Sequence, residues 1–204
     1  LAQATPITTL PQTLSDMNSS LLVSSGGMSN WKVDTVNQLA EQWFWGRVGN
    51  IGGEQSLGSP GTGFTLYHVG VGDINSNPGN EQLSLTYGSG SSLADSKANG
   101  YTVTLSLGLQ GGNPGSKYSD LGTQGKITFG NHGSTTQTFH AFQYSDFDLG
   151  GTANNDTVVA TNANTFVQSG GGMTLTDVAT TPDHWQIATS PTILASLNDA
   201  GPTT

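Results

Sequence analysis

The chain has 204 residues, a formal net charge of −9 and 9 % charged side chains. Soluble domains average about a quarter charged residues, whereas Gly, Thr, Ser and Asn here supply 93 of the 204 residues. Five basic residues cannot neutralise a run of phosphates, so the composition argues against a nucleic-acid partner. No apolar stretch approaches the roughly 20 residues that a membrane helix needs, which argues against membrane insertion. The absence of Cys excludes disulfide scaffolds, thiol nucleophiles and cysteine-ligated zinc.

At the N-terminus, residues Leu1–Leu10 form either an extended arm or a leader to the first helix. The spacing of Leu14 and Met17 places that helix at Pro11–Met17. Because the sequence begins with Leu1 rather than Met, we also expect that a short N-terminal signal has been removed.

Most of the remaining chain alternates between short strands and turns. The clearest strand is Tyr101–Leu109, in which Tyr101, Val103 and Leu105 begin an apolar face opposite Thr, Ser and Gly. The same pattern predicts strands at Trp31–Val36, Trp43–Val48, Phe64–Val71, Gln82–Tyr87, Lys126–Phe129, Thr136–Phe147, Thr157–Ala160, Thr165–Gln168, Met173–Val178 and His184–Thr189. Clusters of Gly, Asn, Ser and Pro separate these strands and supply the backbone angles that a chain reversal requires.

One strong helix signal lies near the C-terminus, at Ser190–Asn198. Ser190 is placed to cap it, Pro191 suits the first helical position, and Gly201 follows its end. The whole pattern predicts an all-β fold, an antiparallel β-sandwich of about ten short strands with one or two short helices. No linker or fixed-period repeat divides the chain, so residues 1–204 are predicted to form a single domain with 1–10 as an N-terminal arm.

The sequence contains none of the common catalytic patterns, and we therefore predict that the protein is not an enzyme. No two of its four His residues have the i, i+2 or i, i+4 spacing of paired metal ligands, and a Gly-x-Ser-x-Gly nucleophile motif is absent. The Trp43–Trp45 triplet is open to two interpretations, as buried core or as a surface on which sugars stack.

The densest group of carboxylates predicts a calcium site at Asp146, Asp148 and Asp156, because Ca²⁺ takes hard oxygen ligands on glycine-rich loops. A strand end followed by an Asx-rich turn explains the same residues without a metal. The EF-hand template fails, since Thr157 occupies the twelfth position where a bidentate Glu belongs. Two further sites are predicted at Asn18 and Asn155, which match the sequence pattern of glycosylation acceptors.

The segments Phe139–Thr152 and Asn155–Val158 resemble secreted bacterial proteins that carry a C-terminal PEP-CTERM sorting signal. The resemblance covers most of the chain, and its most specific parts are Tyr144–Gly151 and Leu197–Thr204. It implies a secreted protein at the cell surface or in the extracellular matrix of biofilm-forming bacteria, and it implies no catalytic residues. Relatives continue beyond the segment matching Gly201–Thr204, so the resemblance implies either processing at this end or a sheet closed differently.

Two functions are compatible with these features. The first is a structural subunit of a surface filament or biofilm matrix that partners with itself, in which the arm adds as a strand to a neighbour. Head-to-tail addition of this kind does not close and so forms a filament. The alternative is a carbohydrate-binding module of the matrix with exopolysaccharide as partner, which a pair of exposed Trp side chains would favour. The arm either is donated to a neighbour or folds back on its own domain, and the residues assigned to the subunit interface are Thr5, Pro6, Ile7, Thr8, Thr9 and Leu10.

Overall fold

The computed structural model of the protein describes residues 6–7, 9–59, 63–122, 125–180 and 182–203. Within these ranges the strands are β1 (Pro6–Ile7), β2 (Gln12–Asp16), β3 (Ser19–Ser24), β4 (Gly27–Val33), β5 (Val36–Asn37), β6 (Glu41–Val48), β7 (Gln55–Ser56), β8 (Thr65–Gly72), β9 (Gln82–Gly88), β10 (Tyr101–Gly111), β11 (Ser119–Leu121), β12 (Lys126–Asn131), β13 (Phe139–Asp146), β14 (Thr157–Asn162), β15 (Thr165–Gly170) and β16 (Met173–Val178). The helices are α1 (Leu93–Asn99) and α2 (Ser190–Leu197), with a 3-10 turn at Leu149–Gly151.

The strands form three antiparallel sheets. The first has the order β1-β8-β9-β10, and β10 then pairs with β12 along its first half and with β11 at its end. The second has the order β13-β6-β4-β3-β2, with β5 added to β4 and β7 added to β6. The third contains β14, β15 and β16. The chain is therefore an all-β protein with a sandwich-like arrangement, which confirms the predicted fold class.

The buried side chains of the two larger sheets form a continuous apolar cluster. The second sheet contributes Leu14, Leu21 and Trp43, and the first sheet contributes Leu85 and Leu105, all of which are inaccessible or nearly so to solvent. Their alternation along each strand follows from the twofold side-chain period of β structure, which places every second residue on the inner face. Neither helix in the described ranges is long and apolar enough to cross a bilayer.

Two predicted elements are wrong. Residues of the predicted helix Pro11–Met17 form the strand β2 instead, because Leu14 and Asp16 are both buried on the same face at a spacing of two. Met17, which suggested the helical spacing, lies in a turn at φ +48° with an exposed side chain. His184–Thr189 was predicted as a strand but is exposed and irregular.

Each helix has a clear local cause. At α1, the hydroxyl of Ser92 accepts a hydrogen bond from the backbone N–H of Asp95 and so caps the helix. No pattern in the sequence predicted this helix. The predicted C-terminal helix is confirmed as α2, although its capping residue is Thr189. Ser190 instead accepts a 2.6 Å hydrogen bond from the hydroxyl of Tyr144 and so anchors the helix to β13.

Candidate assembly edge and the predicted sites

The outer edge of β8 is covered by very little of the described chain. One side of β8 pairs with β9 along its length. On the other side, the strand pairs it makes are with β1, where Ile7 lies opposite Val69 and Pro6 lies opposite Gly70. An edge with unpaired N–H and C=O groups is a template on which a further strand can add.

The residues assigned to the subunit interface lie on and beside this edge. Pro6 and Ile7 form β1 within the same chain. The carbonyl of Thr9 accepts a hydrogen bond from the side chain of Gln12, and Leu10 is half-buried against the apolar core. Thr5 and Thr8 lie outside the described residues. The structure therefore shows where the arm pairs within one chain, and donation of the arm to a neighbour stays a prediction.

The third sheet exposes a second open edge at β14. Val158 and Val159 on this strand are 38 % and 59 % exposed, and the strand carries no charged side chain. One face of the sheet consists of Thr, Val and Ser side chains from all three strands, in the cross-strand rows Thr157–Ser169–Thr174 and Val159–Val167–Thr176. Long uncharged edges are uncommon on proteins that stay monomeric, because charged side chains normally block further strand pairing.

The three aspartates of the predicted calcium site have different surroundings. Asp146 is the last residue of β13 and lies opposite Glu41 on β6. One carboxylate oxygen of Asp156 accepts hydrogen bonds from the N–H of Leu149 at 2.9 Å and from the side-chain amide of Gln168 at 2.7 Å. Burial, and then the charges of Asp146 and Asp156, raise the pKa of Asp148. In the described ranges no three His, Cys, Asp or Glu side chains are grouped as they are around a metal ion. The contacts of Asp156 are those of a residue that holds the loop against β15.

The two predicted glycosylation residues also differ in accessibility. The side-chain oxygen of Asn18 is half-buried and accepts a 2.8 Å hydrogen bond from the N–H of Gly112. Asn155 is exposed, and its side-chain amide is hydrogen-bonded to Thr152. Asn155 is thus the more accessible of the two residues, and modification of either stays a prediction.

Three of the four Trp side chains are buried. Trp31, Trp43 and Trp45 are each at most 6 % exposed, so the triplet at Trp43–Trp45 belongs to the interior. Trp185 is half exposed and packs edge-on against Phe166, with ring centroids 5.3 Å apart. The exposed Trp pair that would have favoured sugar stacking is therefore not formed.

A groove of about 250 Å³ lies between β4, the segment Lys117–Leu121 and β16. Trp31 and Phe147 contribute apolar walls, and their rings meet edge to face at 6.3 Å. Asp177 supplies a carboxyl to the groove, and burial raises the pKa of this group. The groove could not be predicted from the sequence, because its walls come from four distant stretches of the chain.

Comparisons of the chain with protein-family models, with curated proteins and with solved structures found no match.

Proposed function

We propose that the protein is a structural extracellular protein that assembles with copies of itself by strand addition. In this assembly, Pro6–Ile7 of one copy adds to the β8 edge of the next. The observation that carries the proposal is the antiparallel register of Ile7 with Val69 and of Pro6 with Gly70. A terminal segment that pairs with its own sheet edge makes the same pairs when it is exchanged with a neighbour. When each copy both donates and accepts, the chain of copies does not close and a filament results.

The low surface charge supports this assignment. The chain has 5 basic and 14 acidic residues among 204, so few charged side chains would have to leave water when copies stack. The open edge of β14 and the uncharged Thr, Val and Ser face beside it offer a further contact for lateral association. The resemblance to secreted PEP-CTERM proteins supports an extracellular or cell-surface setting, and a structural role needs no catalytic group.

Single-cysteine variants test the exchange of the arm directly, because the wild-type chain has no Cys. Directly opposed residues in antiparallel strands have Cα atoms about 4.5–5.5 Å apart, within the range that a disulfide spans. Pro6→Cys and Gly70→Cys chains, one of them carrying a mass tag, are refolded together from denaturant and then oxidised. We expect a disulfide-linked dimer that contains one chain of each kind, detected on a non-reducing gel.

The matched control replaces the acceptor position. Thr65 lies on the same strand but five residues from Gly70, which is about 17 Å along a strand, so Thr65→Cys should not link to Pro6→Cys. The double variant Pro6→Cys/Gly70→Cys should give a ladder of linked oligomers. The proposal is wrong if the double variant yields only an internally linked monomer at every protein concentration and the mixed variants give no dimer.

A further inference from the structure

Two carboxylates are buried where the loop between β8 and β9 meets β2 and β10. Glu81 is completely buried and Asp16 is 1 % exposed. Neither carboxylate has a cationic partner, since the ion pair found among the described residues joins Arg47 to Glu54 elsewhere. Burial of like charges without compensation is costly, so this region needs a proton or a cation to balance it.

The two acidic residues lie side by side along β10. The N–H of Leu109 donates to the main-chain oxygen of Glu81 at 2.8 Å, and the N–H of Gly111 donates to a carboxylate oxygen of Asp16 at 2.9 Å. N–H groups two residues apart on a strand point to the same side, about 7 Å from each other. Asp16 and Glu81 are therefore neighbours although 65 residues separate them in sequence.

The loop between β8 and β9 packs against β2 and contacts the Asp16 carboxylate. The N–H of Ser15 donates to the carbonyl of Asn80 at 3.0 Å, and the side-chain amide nitrogen of Asn77 donates to a carboxylate oxygen of Asp16 at 3.2 Å. Gly79 allows this approach, because a Cβ at its position would collide with the main chain of Ser15 and because its φ is +138°. The loop therefore lies directly against the buried acids, and Asn77 contacts one of them.

One carboxylate oxygen of Glu81 has no partner. Oε2 accepts a 3.0 Å hydrogen bond from the N–H of Ile74, while Oε1 is buried and makes no hydrogen bond. Burial, and further the charges of Asp73 and Asp16, raise the pKa of Glu81. Buried polar atoms are nearly always paired, so this oxygen is an unsatisfied acceptor that a cation or a proton would stabilise.

The donors available here are hard oxygens. Besides the carboxylates of Asp16 and Glu81, the loop carries side-chain amides at Asn75 and Asn77. Ca²⁺ accepts six to eight such oxygens from carboxylates, amides and carbonyls in irregular geometry, whereas Mg²⁺ requires an octahedron and retains several waters. A buried, irregular set of oxygens without sulfur or imidazole is therefore suited to calcium.

We propose that Asp16, Glu81 and the loop Asp73–Glu81 bind a calcium ion that fastens this loop to the sandwich. The carboxylates of Asp16 and Glu81 supply the charge, and amide and main-chain oxygens of the loop complete the donor set. The site thus needs no cluster of three acidic side chains. It is separate from the three aspartates Asp146, Asp148 and Asp156, and it does not depend on strand exchange.

The full-length protein is stripped with a chelator, and its melting temperature is measured with added CaCl₂ or MgCl₂. We expect calcium at about a hundred times its Kd to raise the melting temperature by about 5–10 °C, and magnesium to raise it much less. Titration calorimetry should detect one calcium per chain. The proposal is overturned if calcium leaves both the melting temperature and the calorimetric signal of the wild type unchanged.

The variant Glu81→Gln keeps the shape of the side chain and removes its charge. It should lose the calcium-induced shift while being at least as stable as the stripped wild type, because the repulsion from Asp16 and Asp73 is relieved. Asp183→Asn, which removes an exposed carboxylate, is the matched control and should retain the full shift. A full shift in Glu81→Gln would contradict the assignment of this residue as a ligand.

Discussion

Glu54→Gln is expected to destabilise the fold by about 3–5 kcal/mol, because it leaves a buried guanidinium without a countercharge. Arg47 donates to Glu54 at 2.7 Å, and both residues are less than 10 % exposed. Glu54 also accepts hydrogen bonds from the N–H and the hydroxyl of Thr203, each at 2.9 Å, and so holds the chain that follows α2. Chemical denaturation measures the loss, and limited proteolysis after α2 reports release of this segment.

The double variant Arg47→Met/Glu54→Gln is the control for this electrostatic explanation. The amide introduced at position 54 still offers an acceptor to Thr203, and the thioether introduced at position 47 carries no charge into the interior. Replacing both partners should therefore recover most of the stability. A double variant as unstable as Glu54→Gln would mean that packing, and not the unpaired charge, accounts for the loss.

Trp43→Ala is expected to cost about 3–5 kcal/mol, because it opens a large cavity in the core. The Trp43 side chain is completely buried, and its indole N–H donates to the carbonyl of Leu57 at 2.9 Å. Trp185→Ala is the matched control. Trp185 is half exposed and contacts Phe166 at its surface, so its loss should cost about 1 kcal/mol. The measurement is the midpoint of chemical denaturation, and equal losses in the two variants would contradict the different burial of these indoles.

Strands whose alternation is regular were predictable from sequence. Tyr101–Leu109 is observed as Tyr101–Gly111, and Met173–Val178 is observed with the predicted bounds. In both, one face contacts the protein interior and the other faces outward, which makes the twofold pattern visible in the sequence. Trp31–Val36 was placed too far along the chain, since Asp34 and Thr35 have positive φ and reverse the chain after Val33.

The wrong predictions arose where two patterns in the same segment indicate different structures. Leu14 and Met17 have helical spacing, but Leu14 and Asp16 have strand spacing, and pairing with β3 decided the outcome. A buried Asp contradicts the expectation that charged residues face solvent, so the strand signal was hidden. The helix α1 was missed because Ser92 and its neighbours also have the composition of a loop, and only the bond from Asp95 to Ser92 distinguishes the cap.

The candidate sites depended on contacts that a single sequence does not reveal. The regular oxygen-bearing positions of the loop from Asp73 to Glu81 were visible, but Asn, Gly and Pro at such positions are also ordinary turn residues. The loop is distinguished by its contact with Asp16. This contact forms because β9 of the first sheet and β2 of the second sheet both lie beside β10. The outer edge of β8 likewise follows from sheet order and not from any local pattern.

The burial of the Arg47–Glu54 pair, the ion pair found among the described residues, also determines how the protein responds to ionic strength. Dissolved salt screens charges at the surface, but it has little effect on a pair from which water is excluded. With 14 acidic and 5 basic residues, the exposed charges mostly repel one another, so salt weakens repulsion and leaves the attractive contacts intact. The cohesion of this fold therefore depends on its apolar core and on the buried Arg47–Glu54 pair, both of which persist in dilute and in saline surroundings.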